Sequence, residues 1–312
     1  MINKSVLLIT YKPRDTTLKL IREILSENGV SLYIAIDGPK NQKEQEKIDR
    51  FLKTISQLHT EYPENRIRIW KRRENLGLAV SVITAIDWFF YHEESGIVLE
   101  DDLEVSEGFF KYVSDNEKLL SPSSILMIGG HQPFSGIILD ENVISSYPQV
   151  WGWASNKICW GAMRKLILNN GTKSLVKNRV QAFWKTGSDR AHSGYLDSWA
   201  VPLAQQMREN HLFCLMPSIS LIRNLGFDEN ATHTFFEPEI KSKVEINRME
   251  MVNIRGQLFK SIDKLLEKHV YKIKRTQLLR YFFHKRIDSF RERKYKVNLS
   301  ERIGSIEFPK EK

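Results

Sequence analysis

Between residues 5 and 128, five short apolar runs alternate with longer segments of helical period, and this alternation restricts the fold more than any other feature of the chain. Val6–Ile9, Leu32–Ile36, Ile67–Trp70, Ile97–Leu99 and Ile125–Ile128 are brief and rich in Ile, Leu and Val, as strands buried on both faces of a parallel sheet are. Leu18, Ile21 and Leu25 recur at helical spacing with Gly29 as a stop; Ile48, Phe51, Leu52 and Ile55 repeat the pattern, and Ala79–Phe90 does so again. Repeated strand–helix–strand units predict an α/β fold with a mixed, mostly parallel, Rossmann-like sheet flanked by helices. Ligands are expected at the carboxyl ends of its strands.

Past Gly129 the pattern turns aromatic, with Trp151-Gly152-Trp153, Trp160, Phe183-Trp184 and Tyr195–Trp199. This stretch reads as the second half of the same domain, where an acceptor would be held. Arg248–Lys296 is helical again, with Ile254, Leu258, Ile262, Leu265 and Leu266 on one stripe. The expected division is an α/β domain over 1–240 and a basic, amphipathic helical region over 241–312. Of the net charge of +9, residues 241–312 carry a surplus of 11 positive charges, leaving the first 240 residues slightly acidic. A basic helix of this kind fits a membrane surface, and without a recognised module it gives no reason to expect nucleic acid. The 2 cysteines, Cys159 and Cys214, rule out a disulfide scaffold and a zinc finger. No apolar run approaches the roughly 18 residues of a membrane span. These features predict a cytoplasmic protein, peripheral at most on the inner face of the plasma membrane.

Each expected strand ends in polar residues. The first runs into Thr10-Tyr11-Lys12-Pro13-Arg14, the second into Asp37-Gly38, the third into Lys71-Arg72-Arg73-Glu74-Asn75-Leu76-Gly77 and the fourth into Glu100-Asp101-Asp102. Basic groups and an acidic cluster facing one cleft suit an anionic, metal-bridged ligand. The acids are the most informative string: three carboxylates closing an apolar strand repel one another and lose solvation, which a divalent cation relieves. Oxygen-only ligands point to Mg²⁺ or Mn²⁺ bridging to phosphate. The plainer alternative is that these acids favour the start of the next helix. Arg14 or Lys12 beside a diphosphate is physically reasonable, and Arg73 is the preferred phosphate ligand among its basic neighbours. Asn75–Ala79 either opens a helix capped by Asn75 or brings backbone N–H groups toward a donor across Gly77.

Glu-Asp-Asp after such a strand, preceded by Asn75-x-Gly77-x-Ala79 and followed by Phe109-Phe110-x-Tyr112, resembles the GT-A glycosyltransferases. The likeness is to the inverting N-acetylglucosaminyltransferase type and to bacterial surface-glycan sugar transferases. It spans roughly residues 5–235 and is most specific at Glu-Asp-Asp-Leu-Glu (100–104) and Leu-Asp-Ser-Trp (196–199). It implies Asp102 as the metal ligand, with Glu100 and Asp101 on the donor sugar and ribose. It further implies Asp37 on the nucleotide base and Arg14 in the donor site beside Thr10 and Tyr11. Asp197 becomes the catalytic base, flanked by Tyr195 and Trp199; its alternative role is to cap the helix that follows it. Leu196 and Ser198 stand where the eukaryotic pattern has Trp and a second Asp.

Trp151 and Trp153, placed on one face by strand alternation, would stack on an acceptor sugar or else pack the core. His233 is a candidate for the metal or diphosphate. The implied function is metal-dependent, inverting transfer from a nucleotide-diphosphate sugar, UDP being the favoured nucleotide, to a surface polysaccharide or lipid-linked glycan. A sugar-1-phosphate nucleotidyltransferase and a non-catalytic membrane-surface protein are the alternatives; the first would normally carry a glycine-rich loop after strand one, and Thr10–Arg14 contains no glycine.

Overall fold

A computed structural model describes residues 5–134, 139, 141–169, 176–226, 258–281 and 298–309. The first half builds in strict alternation: β1 (Ser5–Thr10), α1 (Asp15–Leu25), β2 (Ser31–Ile36), α2 (Gln42–Glu61), β3 (Arg66–Lys71), α3 (Leu78–His92) and β4 (Ser95–Glu100). There follow β5 (Leu103–Val105), α4 (Gly108–Asn116), β6 (Ile125–Gly129), β7 (Val143–Ser145), β8 (Trp153–Asn156) and α5 (Lys157–Leu168). Then come α6 (Arg179–His192), α7 (Ala200–Glu209), β9 (Phe213–Met216) and β10 (Ile222–Asn224). Two later helices are α8 (Leu258–Leu265) and α9 (Leu299–Gly304).

Eight strands form one mixed, mostly parallel sheet in the order β3-β2-β1-β4-β8-β6-β9-β7, flanked by helices on both faces. β1 pairs in parallel with β2 and β4, putting Thr10 beside Ile36 and Ile9 beside Glu100. β8 enters antiparallel between β4 and β6. The aromatic half therefore continues the same sheet. All of β1 is buried and β2 nearly so, as the continuous apolar runs require. β3 departs from that expectation: at the sheet edge, only its Trp70 is buried. α3 is buried on almost every side because it crosses the centre of one face.

The described parts of 241–312 pack onto this domain. Ile262 and Leu266 are buried, and Asp263 accepts hydrogen bonds from Ser145 Oγ at 2.7 Å and Ser146 N at 3.1 Å. On α9, Leu299 and Ile303 are buried among the residues that cover α3, and Arg302 donates to the Leu76 carbonyl. The apolar stripe of this region is thus spent, at Ile262 and Leu266, on covering the domain. No described helix is long and apolar enough to cross a membrane.

Candidate active site

The chain runs from β1 outward to β2 and β3, then returns to place β4 on the other side of β1. Loops leaving β1 and β4 consequently diverge and open a crevice at their carboxyl ends. A cleft of about 850 Å³ occupies that position. It is lined by the residues after β1, β2 and β4 and by loops of the aromatic half.

Glu100, Asp101 and Asp102 sit half-buried on its wall. Burial, reinforced by the charges of Asp102 and Asp101, pushes the Glu100 carboxyl up to about 8. Burial likewise pushes Asp101 to about 7, against the opposing hydrogen bond from Thr10 Oγ1. That bond ties the ends of β1 and β4 together. Asp102 is seated from the other side: Leu225 N donates to its carbonyl at 2.7 Å, and a Cβ added at Gly226 would lie 2.1 Å from Oδ2. The glycine therefore leaves the Asp102 carboxylate room on that flank.

Among the described residues, no group of three or more metal-ligating side chains converges on one point. Mg²⁺ and its relatives are commonly held by one or two carboxylates together with substrate phosphates and water, so an oxygen-only corner with space beside Asp102 fits that mode of binding.

Cations face this corner from the neighbouring loops. Arg14, Lys12 and Lys40 all line the cleft. Glu44 organises two of them, accepting from Tyr11 Oη at 2.9 Å and Lys40 N at 2.7 Å and pairing with Lys12 at 3.3 Å. The Lys12 and Lys40 ammoniums lie 5.0 and 5.2 Å from the centre of the Tyr11 ring. Arg73 does not share this placement. It is exposed and away from the cleft, while Arg72 is buried over Trp70 at 4.1 Å and donates to Ser81 and Thr84. The structure does not bring Arg73 to the cleft with the other residues expected to bind the donor.

The loop before α3 has an unexpected role. Asp37 Oδ1 accepts from Gly38 N and Leu76 N, both at 3.0 Å, and Oδ2 accepts from Asn75 Nδ2 at 2.9 Å. The Gly77 N–H also favours its charge, while burial pushes the carboxyl up. A carboxylate has about four lone-pair sites. Asp37 is accordingly filled by its own chain and fixes the loop, although it lines the cleft. Asn75 is engaged with Asp37 and does not cap α3. The helix starts at Gly77, with φ of +78°, and its cap comes from far along the chain: Asp197 accepts from Leu78 N at 3.0 Å and Ala79 N at 2.9 Å. The residue expected as a base, or as a cap on the following helix, thus lines the cleft while capping α3.

No protein-family model matches the chain, and no curated protein does.

In the aromatic half, the two indoles of Trp151-Gly152-Trp153 do not share a face. Gly152, at φ of +62°, breaks the strand alternation. Trp151 lines the cleft; Trp153 is 1% exposed, with ring centres 6.5 Å from Trp160 and 6.0 Å from Trp199. Trp153 is therefore a core residue with no face left for a sugar. Trp199 is also buried, though it reaches the cleft wall, and Tyr195 lines the cleft. His233 lies outside the described residues.

His131 was missed. It follows β6 and lines the cleft with its ring centre 4.7 Å from that of Trp151. The rule that singled out the other strand ends also covers this one.

Proposed function

We propose that this protein is a metal-dependent glycosyltransferase of the GT-A type, moving a sugar from a nucleotide-diphosphate donor to an acceptor hydroxyl. One observation carries the reading: the Glu100–Asp102 corner and the cations Lys12, Arg14 and Lys40 line one cleft at the divergence of β1 and β4. Asp102 would hold Mn²⁺ or Mg²⁺, with Glu100 and Asp101 beside it on the sugar and ribose. The bound ion supplies charge neutralisation to the departing diphosphate. Arg14, Lys12 and Lys40 offset phosphate charge, and Thr10 keeps Asp101 in place through its hydroxyl. Asn75 and Gly77 shape the donor wall, since Asp37 holds the loop that carries them.

Trp151 and Tyr195 line the acceptor side. The acceptor in this proposal is a surface polysaccharide or lipid-linked glycan, met at the cytoplasmic face of the membrane. Inversion and the preference for UDP rest on the family likeness alone.

Thermal shift tests the donor site. Mn²⁺ with UDP raises the melting temperature of the wild-type protein by several degrees, and Asp102→Ala loses that shift together with sugar transfer. An unchanged shift in the variant removes Asp102 from the site. No shift in the wild-type protein with any common nucleotide diphosphate overturns the reading.

A further inference from the structure

An attacking hydroxyl must lose its proton as its oxygen bonds to the anomeric carbon, and the cleft offers few groups able to take it. Asp37 is filled by chain N–H groups, and each Asp197 oxygen receives a backbone N–H at the start of α3. Glu100, Asp101 and Asp102 form the metal corner. Lysine and arginine are already protonated. Among the described cleft-lining residues the imidazole of His131 is a further group able to take it.

Its hydrogen bonds decide which ring nitrogen is basic. Ser220 Oγ donates to the Ile222 carbonyl at 2.8 Å and accepts from Gln132 N at 3.1 Å. Its one proton is spent, so toward His131 Nδ1, 3.2 Å away, it acts as an acceptor. This network assigns the proton to Nδ1 and the lone pair to Nε2. Burial pushes the ring down to about 4, against the opposing Ile222 carbonyl, so it is neutral at pH 7. The neighbouring Trp151 face would favour the imidazolium once formed.

Residues 220–226 also link this histidine to the metal corner. Ser220 anchors the imidazole, the Ile222 side chain packs under Gly130 and Gly152, and Gly226 lies against Asp102. One segment therefore sets both ends of the reaction centre.

We propose that His131 Nε2 is the proton acceptor for the attacking hydroxyl, with Ser220 as its positioning residue. The O–H bond breaks with its proton passing to Nε2, the oxygen–carbon bond forms, and the carbon–phosphate oxygen bond breaks with its electron pair leaving on the diphosphate. Neutral imidazole becomes imidazolium as the diphosphate gains its negative charge. This assignment rests on the glycosyltransferase reading.

Slow hydrolysis, in which water replaces the acceptor, provides the assay: UDP release from UDP-N-acetylglucosamine, UDP-glucose and UDP-galactose with Mn²⁺. His131→Ala should lower release by about 100-fold or more, and added imidazole should restore several-fold of it while leaving the wild-type rate unchanged. Ser220→Ala should cost severalfold, and its ¹⁵N spectrum should show a mixed His131 tautomer where the wild-type protein shows the Nδ1–H form. His131→Ala at the wild-type rate overturns the assignment. So does a loss that imidazole leaves unrepaired while His131→Gln turns over normally, because that pattern marks a packing role. If the wild-type protein releases no UDP from any of the three donors, the transferase reading falls and this assignment with it.

Discussion

Two sets of carboxylates line the same cleft, and the chain treats them in opposite ways. Asp37 and Asp197 are surrounded by N–H groups from the loop and helix start at 75–79, so their charges are answered within the protein. Burial pushes Asp37 up as well as Glu100 and Asp101, but Glu100 and Asp101 each also feel the Asp102 charge. The difference teaches that an acid in a cleft points to an external cation only where the chain has not already compensated it. Asp37 and Asp197 hold the walls of the cleft, and the corner after β4 gathers three carboxyls whose charges oppose one another.

The sharpest way to break this division is to exchange the expected costs of the two sets. Asp197→Ala removes two charge-assisted bonds and leaves buried α3 amides unsatisfied, which costs about 2–4 kcal/mol. In a chain of this size that lowers the melting temperature by about 3–6 °C. Asp102→Ala removes a source of repulsion and should melt no lower than the wild-type protein without metal. Calorimetry of the two variants checks the contrast. If Asp102→Ala is the less stable of the two, the corner is a structural cluster and the division is wrong.

Most of the scaffold was legible in the sequence because hydrophobic runs and helical periods survive folding unchanged. β1, β2, β4 and β6 lie where their apolar runs predict, and the four polar strand ends were recognisable as one face of an α/β sheet. What could not be read was how each acid would be satisfied. Asp37 and Asp197 are neutralised by residues 38–39 and 118–119 positions away, respectively, and pairing at that range leaves no local signal. Trp153 failed for a related reason: alternation assumes an unbroken strand, and Gly152 at positive φ turns its two indoles apart. Arg72 and Arg73 show the same limit, since neighbouring arginines differ only in which one the sheet edge turns inward over Trp70.

Gly226→Ala sharpens the comparison at a smaller scale. The added methyl would lie 2.1 Å from Asp102 Oδ2 and 3.0 Å from Asn224 Oδ1, so the carboxylate or the loop must move. Supporting contacts of this kind typically change metal affinity by about 10–100-fold. Mn²⁺ titration should show that weakening while the melting temperature without metal stays close to that of the wild-type protein. Equal Mn²⁺ affinity in the two proteins would mean that the space beside Asp102 is not where the ion docks.

The last effect is spread across a range of pH and is the most specific to the charge of this corner. Glu100 has an ordinary carboxyl value of 4.5 when unfolded and about 8 when folded, chiefly through burial. Because the folded form holds the proton more tightly, the stabilisation is fully present below about pH 4.5 and is lost as pH rises toward 8. Glu100→Gln has no proton to lose there. Its stability relative to the wild-type protein should therefore climb between pH 5 and pH 8, by at most about 1.4 kcal/mol per pH unit, and level off above that. Mn²⁺ should act in the opposite sense on the wild-type protein, stabilising it more at pH 8.5 than at pH 6, because the ion takes the place of the proton. Denaturant melts at four pH values with and without Mn²⁺ read both slopes. A difference between variant and wild type that stays flat across this range would show that Glu100 is already answered within the fold, as Asp37 is.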